Sequence, residues 1–160
     1  MNCNLNIVKG LSTEVRTRMK DSQELTGRFF LSDQSRNHYG EETLLDLLNN
    51  PEKKFVPFTQ SGQAPVLLIQ KSEILSLQAN ENNCQEWAAV IHMDESCWPP
   101  TRVIFDGFSL EGKAYTGDLQ PERRRLTDLL NQDQDFFILK TEDSPWIINK
   151  TFIKYLEPQS

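Results

Sequence analysis

The chain of 160 residues has only three cysteines, two histidines and seven glycines, and each shortage closes off a kind of chemistry. Cys3, Cys84 and Cys97 form neither a Cys-x-x-Cys pair nor an even set, so a disulfide framework is not expected and a reducing cytoplasmic setting is. Glycine is too sparse for a loop that cradles phosphate, and no serine sits in a nucleophile elbow. No apolar run approaches the roughly 18 residues that a membrane-spanning helix needs, so no membrane partner is expected. The opening MNCNLNIVKG does not join a basic stretch to an apolar one, as a secretory signal would. Positive charge is not in excess either: the net charge is −6. Residues 1–80 balance nine Lys/Arg against nine Asp/Glu, whereas residues 81–160 hold eight against fourteen. Phosphate favours positive surface, so this balance weighs against nucleic acid as a partner.

A hydrophobic content of 38% beside 25% charged residues is the composition of a globular chain, long enough for one medium domain or two small ones. An internal echo decides for two. LLDLLN at 44–49 returns as LTDLLN at 126–131, 82 positions later. Residues 41–59 lie without a gap on 123–141, with seven identities in 19 positions. Upstream, residues 16–31 match 101–116 at an offset of 85, bringing Asp21, Leu25 and Gly27 onto Asp106, Leu110 and Gly112. Downstream, residues 66–77 match 145–156 at an offset of 79, bringing Ile69, Lys71, Ile74 and Leu77 onto Ile148, Lys150, Ile153 and Leu156. In all, 14 of 47 aligned positions are identical, against roughly 6% expected from average composition. Chance similarity between two leucine-rich helices explains one such block, not three in the same order. The expected division is a first copy over residues 1–79, a polar linker at 80–85 and a second copy over 86–160.

Each copy reads as short strands around one short helix. EVRTRM alternates apolar and charged residues with the period of a half-buried strand. Turns follow at Asp21-Ser22 and Asp106-Gly107, and the chain returns through ELTGRFFL and SLEGKAYT, where Gly27 and Gly112 mark a bend. The leucines of 44–48 and 126–130 form one apolar helical face. Two apolar strands and a last strand complete each copy. The expectation is a mainly β fold with short helices.

Val103, Ile104, Asp106, Gly107, Leu110 and Gly112, followed later by Ile147, Ile148, Asn149, Lys150, Ile153 and Leu156, give a motif order that resembles the Sm-like or SH3-like small β-barrel. The resemblance covers about 60 residues per copy and implies two tandem barrels packed as a pseudo-dimer. It departs from RNA-binding members at two places. Gln70-Lys71 and Asn149-Lys150 stand where the family has Arg-Gly, and the leucine-rich helix occupies the segment that supplies base contacts.

The candidate binding residues are Arg123, Arg124, Arg125, Trp98, Lys71 and Lys150. Three consecutive arginines suit phosphate or an acidic partner, though at a helix start they face an unfavourable dipole. The first copy has Glu41, Glu42 and Thr43 there, so acid of one copy could face base of another, within a chain or between chains. Trp98 precedes Pro99-Pro100, which suits either the wall of a peptide groove or a cover over the join between copies. His92, Asp94, Glu95 and Cys97 crowd into HMDESC without a second ligand cluster elsewhere, and His38 has no neighbour in sequence to tune it as a base. A charged loop and a loop histidine are the expected roles, and neither a catalytic residue, a metal nor a cofactor is expected. The leading expectation is a non-catalytic adaptor that recognises protein and that has the option of self-association. A single-stranded RNA binder using Lys71, Lys150 and Arg123–Arg125 is the second reading, and a small metal or thiol hydrolase the third.

Overall fold

A computed structural model describes residues 10–33, 35, 41–61, 65–80, 88 and 90–160. His38, Cys3, Cys84 and most of the 80–85 linker lie outside the described residues. The elements of the first half are β1 (Gly10–Leu11), β2 (Val15–Met19), β3 (Glu24–Leu31), α1 (Leu44–Asn49), β4 (Phe55–Gln60), β5 (Val66–Gln70) and β6 (Ile74–Ala79). The second half supplies β7 (Pro100–Ile104), β8 (Ser109–Ala114), α2 (Leu126–Asn131), β9 (Phe136–Lys140), β10 (Pro145–Asn149) and β11 (Tyr155–Pro158). A single 3-10 turn joins β5 to β6 (Lys71–Glu73), and another joins β10 to β11 (Lys150–Phe152).

The fold is mainly β, as the strand-length apolar runs require, with two short helices. All eleven strands belong to one open antiparallel sheet in the order β5-β4-β3-β2-β6-β10-β9-β8-β7-β11, with β1 laid on the far end of β3. Among the described strands no ladder closes either half on itself. With β1 set aside and the strands of each half counted from β2 and from β7, the two halves run the same order: the fourth strand of the half at one end, then the third, second, first and fifth. They meet where β6 pairs with β10.

Local chemistry accounts for the bends. The first turn places Ser22 at φ 73°, with Asp21 accepting from the Gln23 amide at 3.0 Å, and the second uses Gly107 at φ 87°. Gly27 and Gly112 sit where the next strand crosses closely. A Cβ at Gly27 would run into the Thr59 carbonyl, and one at Gly112 into the Lys140 carbonyl.

That equivalence corrects the ungapped alignment of 41–59 on 123–141. Phe55 pairs with Gln70, and Phe136, not Phe137, pairs with Asn149, the counterpart of Gln70. The offset therefore drops from 82 in the helices to 81 in β4 and β9. Two consecutive phenylalanines in the second half concealed this slip. Burial supports the correction, since Val56 and Phe58 face the first core and Phe137 and Leu139 the second. A one-residue error would turn every side chain of the strand over.

Two apolar clusters result, and the first is shared. It gathers Leu44, Leu47, Leu48, Val56, Phe58, Ile74 and Leu77, and takes Phe136, Ile138 and Ile147 from the second half. The second cluster is built on Val103, Phe105, Leu129, Phe137, Leu139 and Ile148, with Leu75 from the first half. The helix leucines thus cap their own halves, and α1 also rests on β9. Asn49, the last residue of α1, fastens that contact: its Nδ2 donates to the Phe136 carbonyl at 3.1 Å and its Oδ1 accepts from the Phe136 amide at 2.9 Å. Replacing Asn49 by Ala removes both bonds, and urea unfolding is expected to show a loss of about 1–3 kcal/mol. Asn49→Asp, which keeps the acceptor alone, should fall between the two.

Candidate functional site

Lys71 and Lys150 are occupied by their own helices. A six-residue helix is too short to stand alone, and its last carbonyls have no partner within it. Lys71 Nζ donates to the carbonyls of Leu47 (3.5 Å), Leu48 (3.1 Å) and Asn50 (2.5 Å). Lys150 Nζ repeats the pattern on Leu129 (3.3 Å), Leu130 (3.4 Å) and Gln132 (2.6 Å). The ammonium also sits at the negative end of the helix, which favours it. Burial pulls both lysines below the usual lysine range, while the Asp135 carboxylate opposes the shift. Lys53 and Lys54 share a shallow cleft with Lys71 over the join, but Lys53 lies 3.7 Å from the Glu42 carboxylate and Asp135 lines the same cleft. The lysines expected to meet phosphate are helix caps.

The arginine run divides into three roles. Arg124 turns back on its own loop, donating from Nε to the Leu119 carbonyl (3.1 Å) and from Nη2 to that of Gly117 (3.2 Å). Arg125 holds the position that Thr43 holds before α1. Thr43 caps α1 through its hydroxyl, whereas Arg125 places its backbone amide and its guanidinium on Asp128. Arg123 is exposed. Glu42, the counterpart of Arg124, is buried and accepts from the Ser32 amide at 2.9 Å. The swap of acid for base thus serves one task twice: each residue pins the loop before its helix, one through an N–H and the other through carbonyls. The partners described for Glu42 and for Arg124 each lie in the residue's own half.

Trp98 forms no groove wall. It is 3% exposed, lies 4.9 Å from the Tyr115 ring, has Lys140 Nζ 5.5 Å from its ring centre, and belongs to the cluster that spans the join. In HMDESC, Asp94 accepts from the Ser96 amide at 2.6 Å, Glu95 pairs with Lys113 at 3.1 Å and Cys97 is buried. His92 is exposed. Among the described residues no group of three His, Cys, Asp or Glu is placed to hold a metal ion, and no helix is long and apolar enough to cross a membrane.

The feature that sequence reading missed is the β5 edge. Among the described strands β5 pairs with β4 alone, and its sequence VLLIQ carries neither charge nor proline, the usual protections of an edge. Cross-strand pairing puts Pro57 opposite Leu68 and Thr59 opposite Val66, so these residues share one face with Phe55. Phe55, Val66 and Leu68 are 55%, 50% and 67% exposed. Fully burying such a side chain stabilises by about 1.5–3 kcal/mol, so the strip favours cover. The available signal was KFVPFT beside PVLLIQ, two apolar runs whose outer face carries Phe55, Pro57, Val66 and Leu68, with polar Thr59 and Gln70 only at the strand ends.

Lys71→Met and Lys150→Met should each lower stability by about 1–3 kcal/mol in urea unfolding, because the carbonyls at the helix end lose a charged donor. Tyr115 gives a pH dependence. Its phenol is pushed up to about 12 by burial, helped by the Asp118 carboxylate 3.5 Å away. The folded state therefore holds this proton more tightly than the unfolded state, whose value is near 10.0. Stability from this group is complete below pH 10 and is lost as pH rises toward 12, a loss that Tyr115→Phe should remove in alkaline melting curves. No family model, curated protein or solved structure matches the chain.

Proposed function

We propose that this protein is a non-catalytic interaction module: a tandem of two small SH3-like barrels that binds protein by accepting an extended strand on its β5 edge. The observation that carries this reading is the strip of Phe55, Val66 and Leu68 beside an unprotected edge strand. An exposed edge supplies main-chain donors and acceptors, and the alternating side chains beside it supply selectivity. The shared strand order of the two halves and the 13 identities that remain once β9 is shifted by one residue on β4 support the tandem reading. The occupation of Lys71, Lys150 and Arg124 by backbone carbonyls argues against single-stranded RNA, since the charges that would meet phosphate are already spent on helix ends and a loop.

Selection of displayed random peptides on the immobilised chain should enrich extended sequences with apolar residues at alternate positions, and Leu68→Lys should abolish their binding. Labelled single-stranded RNA should give no shift at low salt. A tight shift that weakens with added salt and with Arg123→Ala would replace this reading with the nucleic-acid one.

A further inference from the structure

The join inside the chain states what an edge of this kind accepts. Within the chain the fifth strand of the first half, β6, pairs with the fourth strand of the second half, β10: Trp146 faces Gln78, Ile147 faces Leu77 and Ile148 faces Ser76. Among the described strands, those left at the two ends of the sheet are β5, the fourth strand of the first half, and β11, the fifth strand of the second. The free ends are thus the two halves of the same join, left apart.

We propose that the chain assembles head to tail, the β11 edge of one copy pairing with the β5 edge of a second copy and repeating between chains the join that β6 and β10 make within one. This rests on the reading of β5 as the protein-binding edge, and names its occupant. The offset of 79 fixes the register: Leu67 faces Glu157, Leu68 faces Leu156 and Ile69 faces Tyr155 of the second copy.

Burial agrees on both sides. On the accepting side, Ile147 and Phe136 are each 3% exposed at the internal join, whereas their counterparts Leu68 and Phe55 are 67% and 55% exposed. On the donating side, Ile74, Leu77 and Leu48 are 0%, 1% and 2% exposed inside the join, while their counterparts Ile153, Leu156 and Leu130 are only half-buried. Tyr155, also on the donating strand, is 54% exposed. The polar fasteners have counterparts too. Asn49 brackets the Phe136 backbone, and Asn131, exposed here, stands where it would bracket that of Phe55. Asn149 Nδ2 donates to the Ile74 carbonyl at 2.9 Å, and Gln70 stands where it would reach the carbonyl of Ile153. Such a contact joins two different surfaces, so each added copy leaves one edge of each kind, and assembly continues until a ring closes or a fibre grows.

Light scattering on the eluting full-length chain tests this. Wild type should elute as multiples of 18.5 kDa that grow with concentration. Leu68→Lys, which spoils the accepting edge, and Tyr155→Asp, which spoils the donating edge, should each be monomeric with an unchanged circular dichroism spectrum. An equal mixture of the two variants retains one good edge of each kind and should form a dimer and nothing larger. If Leu68→Lys unfolds, Phe55→Ser takes its place. A monomeric wild type that still selects Leu68-dependent peptides would overturn the assembly and leave the binding edge standing, and loss of both would sink the two together. Self-association of Leu68→Lys, or a mixture that stays monomeric, would overturn the head-to-tail arrangement.

Discussion

The ladder between β6 and β10 is the contact on which the rest of the molecule depends. It merges two sets of strands into one sheet, and it buries the outer face of β9 and β10 beneath the leucines of α1 and the inner residues of β6. Without it, Phe136, Ile138 and Ile147 would lie in water, as Phe55 and Leu68 do at the other end. The first cluster is therefore a core to which both halves contribute, and the stability of each half is tied to the presence of the other. Apolar burial is the largest favourable term in folding, so the position of this one ladder decides how much of the chain has a core at all.

A second constraint acts on the helices. Each is six residues long, so most of its final carbonyls find no partner inside the helix. Buried carbonyls must be satisfied, and an ammonium with three donors on a flexible stem reaches all of them at once. Placing that lysine at the start of the turn after the fourth strand ties helix, turn and sheet together. The same solution appears in both halves, with the same three carbonyl positions, which is why the helices survive at a length that would not hold in isolation.

Much of the fold was legible. The strand-helix-strand order, the Asp21-Ser22 and Asp106-Gly107 turns, the bends at Gly27 and Gly112 and the leucine faces all rest on local patterns that a single sequence carries. The one-residue slip between helix and strand was hidden because Phe136-Phe137 satisfies either register, and only strand pairing tells the inner phenylalanine from the outer. The candidate site was far less legible. Lys71, Lys150 and Arg124 look like free cations in sequence, yet their partners are backbone carbonyls, which have no letter in a sequence. Trp98 beside Pro99-Pro100 leaves a groove wall and a cover both open in sequence and is interior, with the Tyr115 ring, 17 positions away, packed against it.

Sequence alone determined the elements and their similarity between halves, since periodicity, turn residues and identities are local properties of the chain. It also determined that the leucines of LLDLLN serve packing, which the burial of Leu44, Leu47 and Leu48 agrees with. Tertiary structure decided which strands lie at the ends of the sheet and which residues are left uncovered there. Leu68 and Ile147 are counterparts of similar size and character, and nothing in either neighbourhood says that one is open to solvent and the other buried. That difference arises from which strand lies alongside, a property of the whole path of the sheet and of no single segment.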